Sequence, residues 1–454
     1  MKSQPVVALI LVGCLATVGG CGAAPESEGD AAAQHEVAHA LELDEVPAPP
    51  VEVADATTDF VAARRNAVAA TDATTGKQVA VIGEHGHLGS LTDPSVDDIW
   101  IKWRARPSLD NRTAVMTLRD EPARTLDQTE VAWVSLPDAV ETDSLTIDAR
   151  GELNAVSYDG GLVAFTNFAE PAKPGEIAGA KTSTTLWIAD PNGIRYEAQL
   201  DGNFVAEAFG RTTGANGLPA QVFLLEHIPA DAPRFYRVRV LSTETGEISL
   251  PLNIRDKSQL VDERMSGLSR NQVIADDHGL LFTLYRGTID GNADGEPYAF
   301  VHTLDLANGV WCLFLDPALE LDTLAGSIAV GGDRLFVASS NGTIGSIPIP
   351  SITDPDRNPE MDWVVDVGQP SGQPPALMAD ADGVRVGVHD GTERLIRLDN
   401  DGQAQPDYRI PGANPTALTV DISGQIVAAG ANWSTLGELA LPDWFGTPIA
   451  VFAD

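Results

Sequence analysis

From about residue 57 to the end of the chain, apolar and polar positions alternate over short distances. Runs of Val, Ile, Leu, Phe and Thr are bounded by Gly, Asp, Asn or Pro, and almost no stretch has a helical period. Short alternating runs between turn residues are typical of β-strands. The pattern therefore predicts an all-β body.

One unit recurs in this body: an apolar strand enters a tight acidic turn, and a second apolar strand leaves it. Its copies lie at residues 156–165, 200–206, 274–282, 328–337, 378–386 and 418–427. Measured between the markers Asp159, Asp201, Asp277, Asp333, Asp382 and Ser423, the steps are 42, 76, 56, 49 and 41 residues. These steps lie near the period of ~40–50 residues that propeller blades show.

Each copy is followed by a further hairpin, such as 301–311 or 395–402, so that one repeat supplies four strands. A twisted four-stranded blade cannot bury both faces alone, which favours closure of the array into a ring over the alternative, an open solenoid. We expect a single β-propeller of about seven four-stranded blades over residues 57–454. In this interpretation the 76-residue step is one blade enlarged by loop 211–219. The N- and C-terminal strands, within 58–77 and 417–454, are expected to pair and so close the ring.

The units resemble the YVTN-type and quinoprotein-type propeller repeats of bacterial secreted proteins, as in the turn Asp305-Leu306-Ala307-Asn308-Gly309. The resemblance implies a propeller architecture. Those families include binding proteins, lyases and dehydrogenases, so the resemblance does not select a function.

The amino terminus has the plan of a secretory signal. Lys2 precedes an apolar run at residues 6–12, and Gly19-Gly20 ends the stretch before it reaches the ~20 apolar residues of a spanning helix. Val18-Gly19-Gly20-Cys21 resembles the lipobox of bacterial lipoproteins, which implies that residues 1–20 are removed and that Cys21 carries the lipid, palmitate included. The chain is then an exported lipoprotein anchored to the outer face of the cell membrane. An ordinary cleaved signal is the alternative.

Charge separates the stretch after the signal from the body. Residues 22–56 contain nine Asp or Glu and no Lys or Arg, and Ala and Pro are frequent. Such a composition predicts a disordered, self-repelling tether over residues 21–56. The whole chain has 65 acidic and 29 basic residues, a formal charge of −36, which argues against nucleic acid as a partner.

Two patterns suggest metal ligands. Asp290, Asn292 and Asp294 match the start of a calcium loop, in which oxygen side chains at alternate positions converge on Ca²⁺, although Val301 stands where the bidentate Glu should be. A plain acidic loop is the alternative. His85 and His87 would point to one side of a strand, as metal ligands or acid–base groups, or else lie in a surface loop.

Three other features favour ordinary structural roles. The His35-Glu36-Val37-Ala38-His39 stretch has zinc-protease spacing but lies in the tether, where the buried helix of such an enzyme is not expected. Cys312 alternates with apolar neighbours and is expected to be a small buried hydrophobe. The acidic pairs Asp380/Asp382 and Asp399/Asp401 are expected to form hairpin turns.

No catalytic constellation emerges from these residues. We therefore expect a monomeric, envelope-anchored recognition or scaffold protein, attached to the membrane through Cys21, whose axial face binds a protein, a glycan or a small ligand. The alternative is a propeller enzyme of the lyase, hydrolase or quinoprotein type. Such an enzyme predicts His, Arg and Asp side chains from different blades meeting near the axis.

Overall fold

A computed structural model describes the chain over sixteen ranges. They are residues 60–64, 67–71, 78–83, 103–110, 113–118, 128–135, 140–169, 179–266, 268–287, 298–321, 326–368, 376–388, 394–409, 415–420, 426–430 and 447–452. The only helical elements in these ranges are the short helix Ile349–Thr353 and the 3₁₀ turns Asp276–His278 and Pro317–Leu319. None of the helices there is long and apolar enough to cross a bilayer.

Thirty-one strands in these ranges form eight sheets. Sheet one comprises β1 (Phe60–Arg64), β2 (Ala67–Thr71) and β3 (Gln78–Gly83), and sheet two comprises β4 (Trp103–Pro107), β5 (Thr113–Leu118), β6 (Thr129–Ser135) and β7 (Val140–Ile147). Sheet three comprises β8 (Gly151–Val156), β9 (Val163–Asn167), β10 (Ser183–Asp190) and β11 (Gly193–Asp201). Sheet four comprises β12 (Asn203–Phe209), β13 (Gln221–Ile228), β14 (Phe235–Ser242) and β15 (Ile248–Ser249).

Sheets five to eight continue in chain order. Sheet five comprises β16 (Leu252–Asn253), β17 (Leu268–Ala275), β18 (Leu280–Gly287), β19 (Tyr298–Asp305) and β20 (Gly309–Phe314). Sheet six comprises β21 (Gly326–Gly331), β22 (Arg334–Ser339), β23 (Thr343–Pro348) and β24 (Trp363–Asp366). Sheet seven comprises β25 (Ala376–Asp380), β26 (Gly383–Val388), β27 (Arg394–Asp399) and β28 (Ala404–Arg409), and sheet eight comprises β29 (Pro415–Val420), β30 (Ile426–Gly430) and β31 (Thr447–Phe452).

Within a sheet, consecutive strands pair antiparallel, as hairpins require. The exception is β16, which adds to the outer edge of sheet five by pairing parallel with β20. The turn residues noted in the sequence make these reversals possible. Gly383, for example, has a φ of +148°, and a Cβ there would collide with the backbone of Leu398, so the start of β26 requires glycine.

The core lies between the sheets and is divided into clusters, each shared by two neighbouring sheets. β13 shows how the sequence builds it: Phe223 and Leu225 face the cluster shared with sheet five, whereas Val222 and Leu224 face the cluster shared with sheet three. Further clusters join sheets two and three, five and six, and six and seven. Because both faces of such a sheet are covered, its middle strands are continuous apolar runs.

The first strands of the sheets lie nearest the axis and contact one another in sequence. β8 contacts β12, β17 contacts β21, β21 contacts β25, and β25 contacts β29. β3 contacts β4, and β1 packs on β29 and β30, which brings the last sheet against the first. The described strands therefore form a single all-β propeller, as the sequence predicted.

The described strands form eight sheets, one more than the about seven blades expected from the sequence. Six sheets have four or five described strands, and the first and last have three each. The difference comes from Asp201: its turn joins β11 of sheet three to β12 of sheet four instead of lying within one sheet. Loop 211–219 is the inner turn of sheet four itself, so the 76-residue step was not one enlarged blade.

The predicted mode of ring closure also differs from the structure. Among the described strands, β1 pairs with β2, and β29 pairs with β30, in two separate sheets. The two ends meet by packing of sheet faces instead of by a shared blade. Each of these two sheets is built from its own antiparallel hairpins, so neither borrows a strand from the other.

Candidate functional site

The strongest candidate site lies on one end of the ring, where the first strand of each sheet turns into the second. We call this end the inner-turn face and define it by loops 108–110, 157–162, 210–220, 276–279, 332–333 and 381–382. Because first strands surround the axis, these loops converge there. The Asp110 N–H, for example, donates to the Tyr158 carbonyl at 3.1 Å, joining sheets two and three.

Loop 157–162 shows how sequence builds this face. The Ser157 hydroxyl donates to Asp159 Oδ1 at 2.7 Å and accepts the N–H of Leu162 at 2.9 Å. Burial opposes ionisation of Asp159, but N–H and hydroxyl donation from Gly161 and Ser157 lowers its pKa overall. A serine two residues before an aspartate thus fixes the turn and leaves Tyr158 at its tip.

Tyr158, Arg211 and Asp276 meet on the inner-turn face although they belong to sheets three, four and five. The Tyr158 hydroxyl donates to Asp276 Oδ2 at 2.7 Å, and the Arg211 guanidinium lies 2.6 Å from Asp276 Oδ1. Arg211 also donates to the Asp276 carbonyl at 2.7 Å and stacks 4.9 Å above the Tyr158 ring. We call these three residues the Tyr–Arg–Asp cluster.

The Tyr–Arg–Asp cluster is accessible from solvent, since 39% of the Arg211 side chain and 48% of the Asp276 side chain are exposed. The hydrogen bond to Asp276, followed by burial, raises the pKa of Tyr158. The phenol is therefore protonated at neutral pH and acts as a donor. The cluster offers a planar cation, an aromatic face and a carboxylate, which are groups that recognise charged or polar ligands.

A second inter-sheet pair lies beside the cluster. His278 Nε2 lies 2.8 Å from Asp333 Oδ1, which links the inner turns of sheets five and six. Asp277, Asp333 and Asp382 are exposed on the same face. Acidic groups outnumber basic ones among its described side chains, so this face attracts cations.

The residues singled out as ligands in the sequence lie outside the described ranges. Cys21, His85 and His87 are among them, and so are Asp290, Asn292 and Asp294. The His35–His39 stretch also lies there. Over the described ranges, the structure brings together no group of three His, Cys, Asp or Glu side chains suited to a metal ion.

Other sequence interpretations fall within the described ranges and are confirmed. Asp380 Oδ1 accepts the N–H of Asp382 at 2.8 Å, and Asp399 Oδ1 accepts that of Asp401 at 3.0 Å, so both acidic pairs form hairpin turns. Cys312 is buried in the cluster between sheets four and five.

The Tyr–Arg–Asp cluster was not predicted from the sequence. Tyr158 and Asp276 lie within two of the repeated turn units, 156–165 and 274–282, and Arg211 begins loop 211–219. The sequence does contain a pattern that points to the cluster, because all three residues occupy inner turns of successive sheets. Reading that pattern required the correct assignment of turns to sheets, which the Asp201 marker had obscured.

No model of a known protein family matches the chain, and no curated protein matches it in sequence. Among solved structures, it is similar to the computationally designed protein Ika8 (13% identity, 88% of this chain and 98% of that chain, TM-score 0.42). It is also similar to the dihydro-heme d1 dehydrogenase NirN (13%, 89% and 76%, 0.42) and to BamB from Moraxella catarrhalis (13%, 86% and 92%, 0.38). At this identity the likeness concerns the path of the chain and not its chemistry.

Proposed function

We propose that this protein is an envelope-anchored recognition propeller that binds a partner through its inner-turn face. The lipid on Cys21 holds it to the membrane, and residues 21–56 serve as a tether. Of the three ligand classes that the sequence left open, a protein segment rich in Lys and Arg suits the surface better than a glycan or a small ligand. The exposed carboxylates of Asp277, Asp333 and Asp382 would pair with such a segment.

The observation that supports this proposal is the Tyr–Arg–Asp cluster. Three sheets contribute to one solvent-accessible set of side chains, held by bonds between the sheets. Such bonds restrict side chains before a partner arrives, which lowers the entropic cost of binding. Tyr and Arg are also the residue types that most often carry binding energy at protein interfaces.

A propeller enzyme is the second candidate, because Arg211, His278 and acidic residues of different sheets do meet on this face. His278 paired with Asp333 has the arrangement of an oriented acid–base group. The two candidates differ in their response to His278→Ala. Loss of turnover with intact partner binding would indicate an enzyme, whereas loss of binding alone would indicate recognition.

The proposal can be tested by photo-crosslinking in the producing cells. A photoreactive amino acid replaces Asp277, which is exposed on the inner-turn face, or Glu197, which is exposed on the outer strand β11 as a matched control. We expect a discrete adduct at position 277 only, and Arg211→Ala should weaken it severalfold. Equal adducts at both positions, or none at 277, would contradict recognition at this face.

A further inference from the structure

The strongest unexplained feature lies at the rim, where residues 251–265 cross from sheet four to sheet five. We call this segment the strap. The Met265 N–H donates to the Tyr236 carbonyl of β14 at 2.8 Å, and the Ile254 N–H donates to the Val310 carbonyl of β20 at 3.1 Å. The Val261 N–H donates to the Pro251 carbonyl at 2.9 Å, which closes the strap on itself.

The strap is also tied to sheet six and to sheet four by side chains. The Arg255 guanidinium donates to the carbonyls of Ser351 at 3.1 Å and Pro355 at 3.2 Å, and it lies 5.4 Å from the Trp311 ring centre. On the other side, Asp262 forms an ion pair with Arg239 at 2.8 Å. The strap therefore joins three consecutive sheets from outside.

Beneath the strap lies a cavity of ≈ 20 Å³, which has room for a water molecule but not for a metabolite. The strap covers it with Val261, Glu263 and Met265, and the floor comes from β14, β19 and β20. Alternate residues of an extended segment point to the same side, so Glu263 occupies a position that its neighbours fill with apolar side chains. A carboxyl group thus faces a largely apolar cavity.

The described residues that line the cavity include no Lys or Arg that could balance an ionised Glu263. Its described lining consists of Val238, Pro251, Asn253, Val261, Glu263, Met265, His302, Val310, Trp311 and Cys312, and among these residues His302 is the titratable group besides Glu263. Asp262 and Arg264 flank Glu263 along the strap but are exposed, on the opposite side of an extended segment.

His302 is the polar group of the cavity floor. It is 1% exposed, and its Nδ1 atom has no hydrogen-bond partner. Burial lowers the pKa of His302 to about 4, so the imidazole is neutral at physiological pH and does not stabilise a carboxylate. Burial raises the pKa of Glu263 to about 7, in agreement with the lack of Lys and Arg among the described lining residues.

We propose that the strap is a proton-operated clasp, which is held closed when Glu263 is protonated and is loosened when Glu263 ionises. A protonated carboxyl fits an apolar cavity and can donate a hydrogen bond towards His302 through one water, for which the cavity has room. An ionised carboxylate has to become hydrated again, and its movement into water pulls the strap away from β20. The strap would then release its links between sheets four, five and six.

Whether opening of the strap becomes more or less favourable with pH follows from the pKa of Glu263 in the closed and the open strap. An exposed glutamate has a pKa of about 4.3. Since the closed state has the higher pKa, opening becomes more favourable as pH rises from about 4.3 to about 7, and the effect is complete above that. Because Glu263 is only half-buried, we expect at least about a tenfold rise in opening between pH 5 and pH 7.5, well below the maximum that this difference in pKa allows.

The test is hydrogen exchange of the strap in the whole protein, corrected for the intrinsic effect of pH on exchange. The reporters are the amides of Ile254, Val261 and Met265. The ratio of wild-type to Glu263→Gln exchange rates isolates this carboxyl from any opposite effect of His302, and it should rise at least about tenfold from pH 5 to pH 7.5. Glu247→Gln, at an exposed turn of sheet four, is the matched control and should behave as wild type.

A ratio that stays constant with pH would overturn the proposal. If Glu263→Gln does not fold, Glu263→Met provides a second side chain of similar volume that cannot ionise, and the same ratio applies. A rise in strap exchange that both variants retain would assign the effect to another group and would equally overturn the clasp.

Discussion

Truncation of Phe282 should test the conclusion that the core lies between sheets. Phe282 on β18 is 0% exposed and belongs to the cluster that sheets five and six share. Its replacement by Ala removes a whole ring from a position where the β-strands on both sides cannot readily collapse. A buried Phe→Ala change costs about 3–5 kcal/mol. We therefore expect a loss of stability of this size.

The melting temperature provides the measurement. Unfolding entropy is about 2.1 cal/mol/K per residue, so a body of about 400 residues loses roughly 4–6 °C for such a change. Phe314→Ala is the matched control, since Phe314 lies on β20 of the same sheet but is 40% exposed. It should shift the melting temperature by about 1 °C or less. Equal shifts for the two variants, measured by calorimetry at one scan rate, would refute the inter-sheet core.

Two further predictions concern residues outside the described ranges. Cys21→Ser should move the protein from the membrane fraction to the soluble fraction of fractionated cells, because it removes the atom that would carry the lipid; retention in the membrane fraction would contradict lipid anchoring. Asp290→Asn combined with Asp294→Asn should abolish the fall in melting temperature that a calcium chelator causes in the wild-type protein. If the chelator leaves the wild type unchanged, the calcium loop should be abandoned.

Local chemistry determined much of this fold from the sequence. The Asp380-Ala381-Asp382-Gly383 turn, for instance, forms the expected hairpin because an aspartate carboxylate accepts a backbone N–H two residues on. Alternation of apolar residues gave the strands, and their repetition gave the propeller. The same local signal misled at Asp201-Gly202, since acidic turns within a sheet and between two sheets look alike in one dimension.

The candidate site could not be predicted in the same way. Tyr158 and Asp276 are 118 positions apart, yet their side chains share a hydrogen bond. Nothing in the residues around either one specifies the other. Their meeting depends on the number of sheets in the ring and on the angle between neighbours, both of which follow from how whole sheets pack.

The sequence by itself therefore determined the strand type, the hairpin turns and the repeating plan, because these depend on backbone preferences and on neighbours a few residues away. Only the tertiary structure decided that the described strands form eight sheets, that the first and last of these sheets pack against each other, and that Glu263 lies over a cavity whose described lining contains no Lys or Arg. Those features arise from contacts between distant segments, whose geometry is set by the packing of the whole ring.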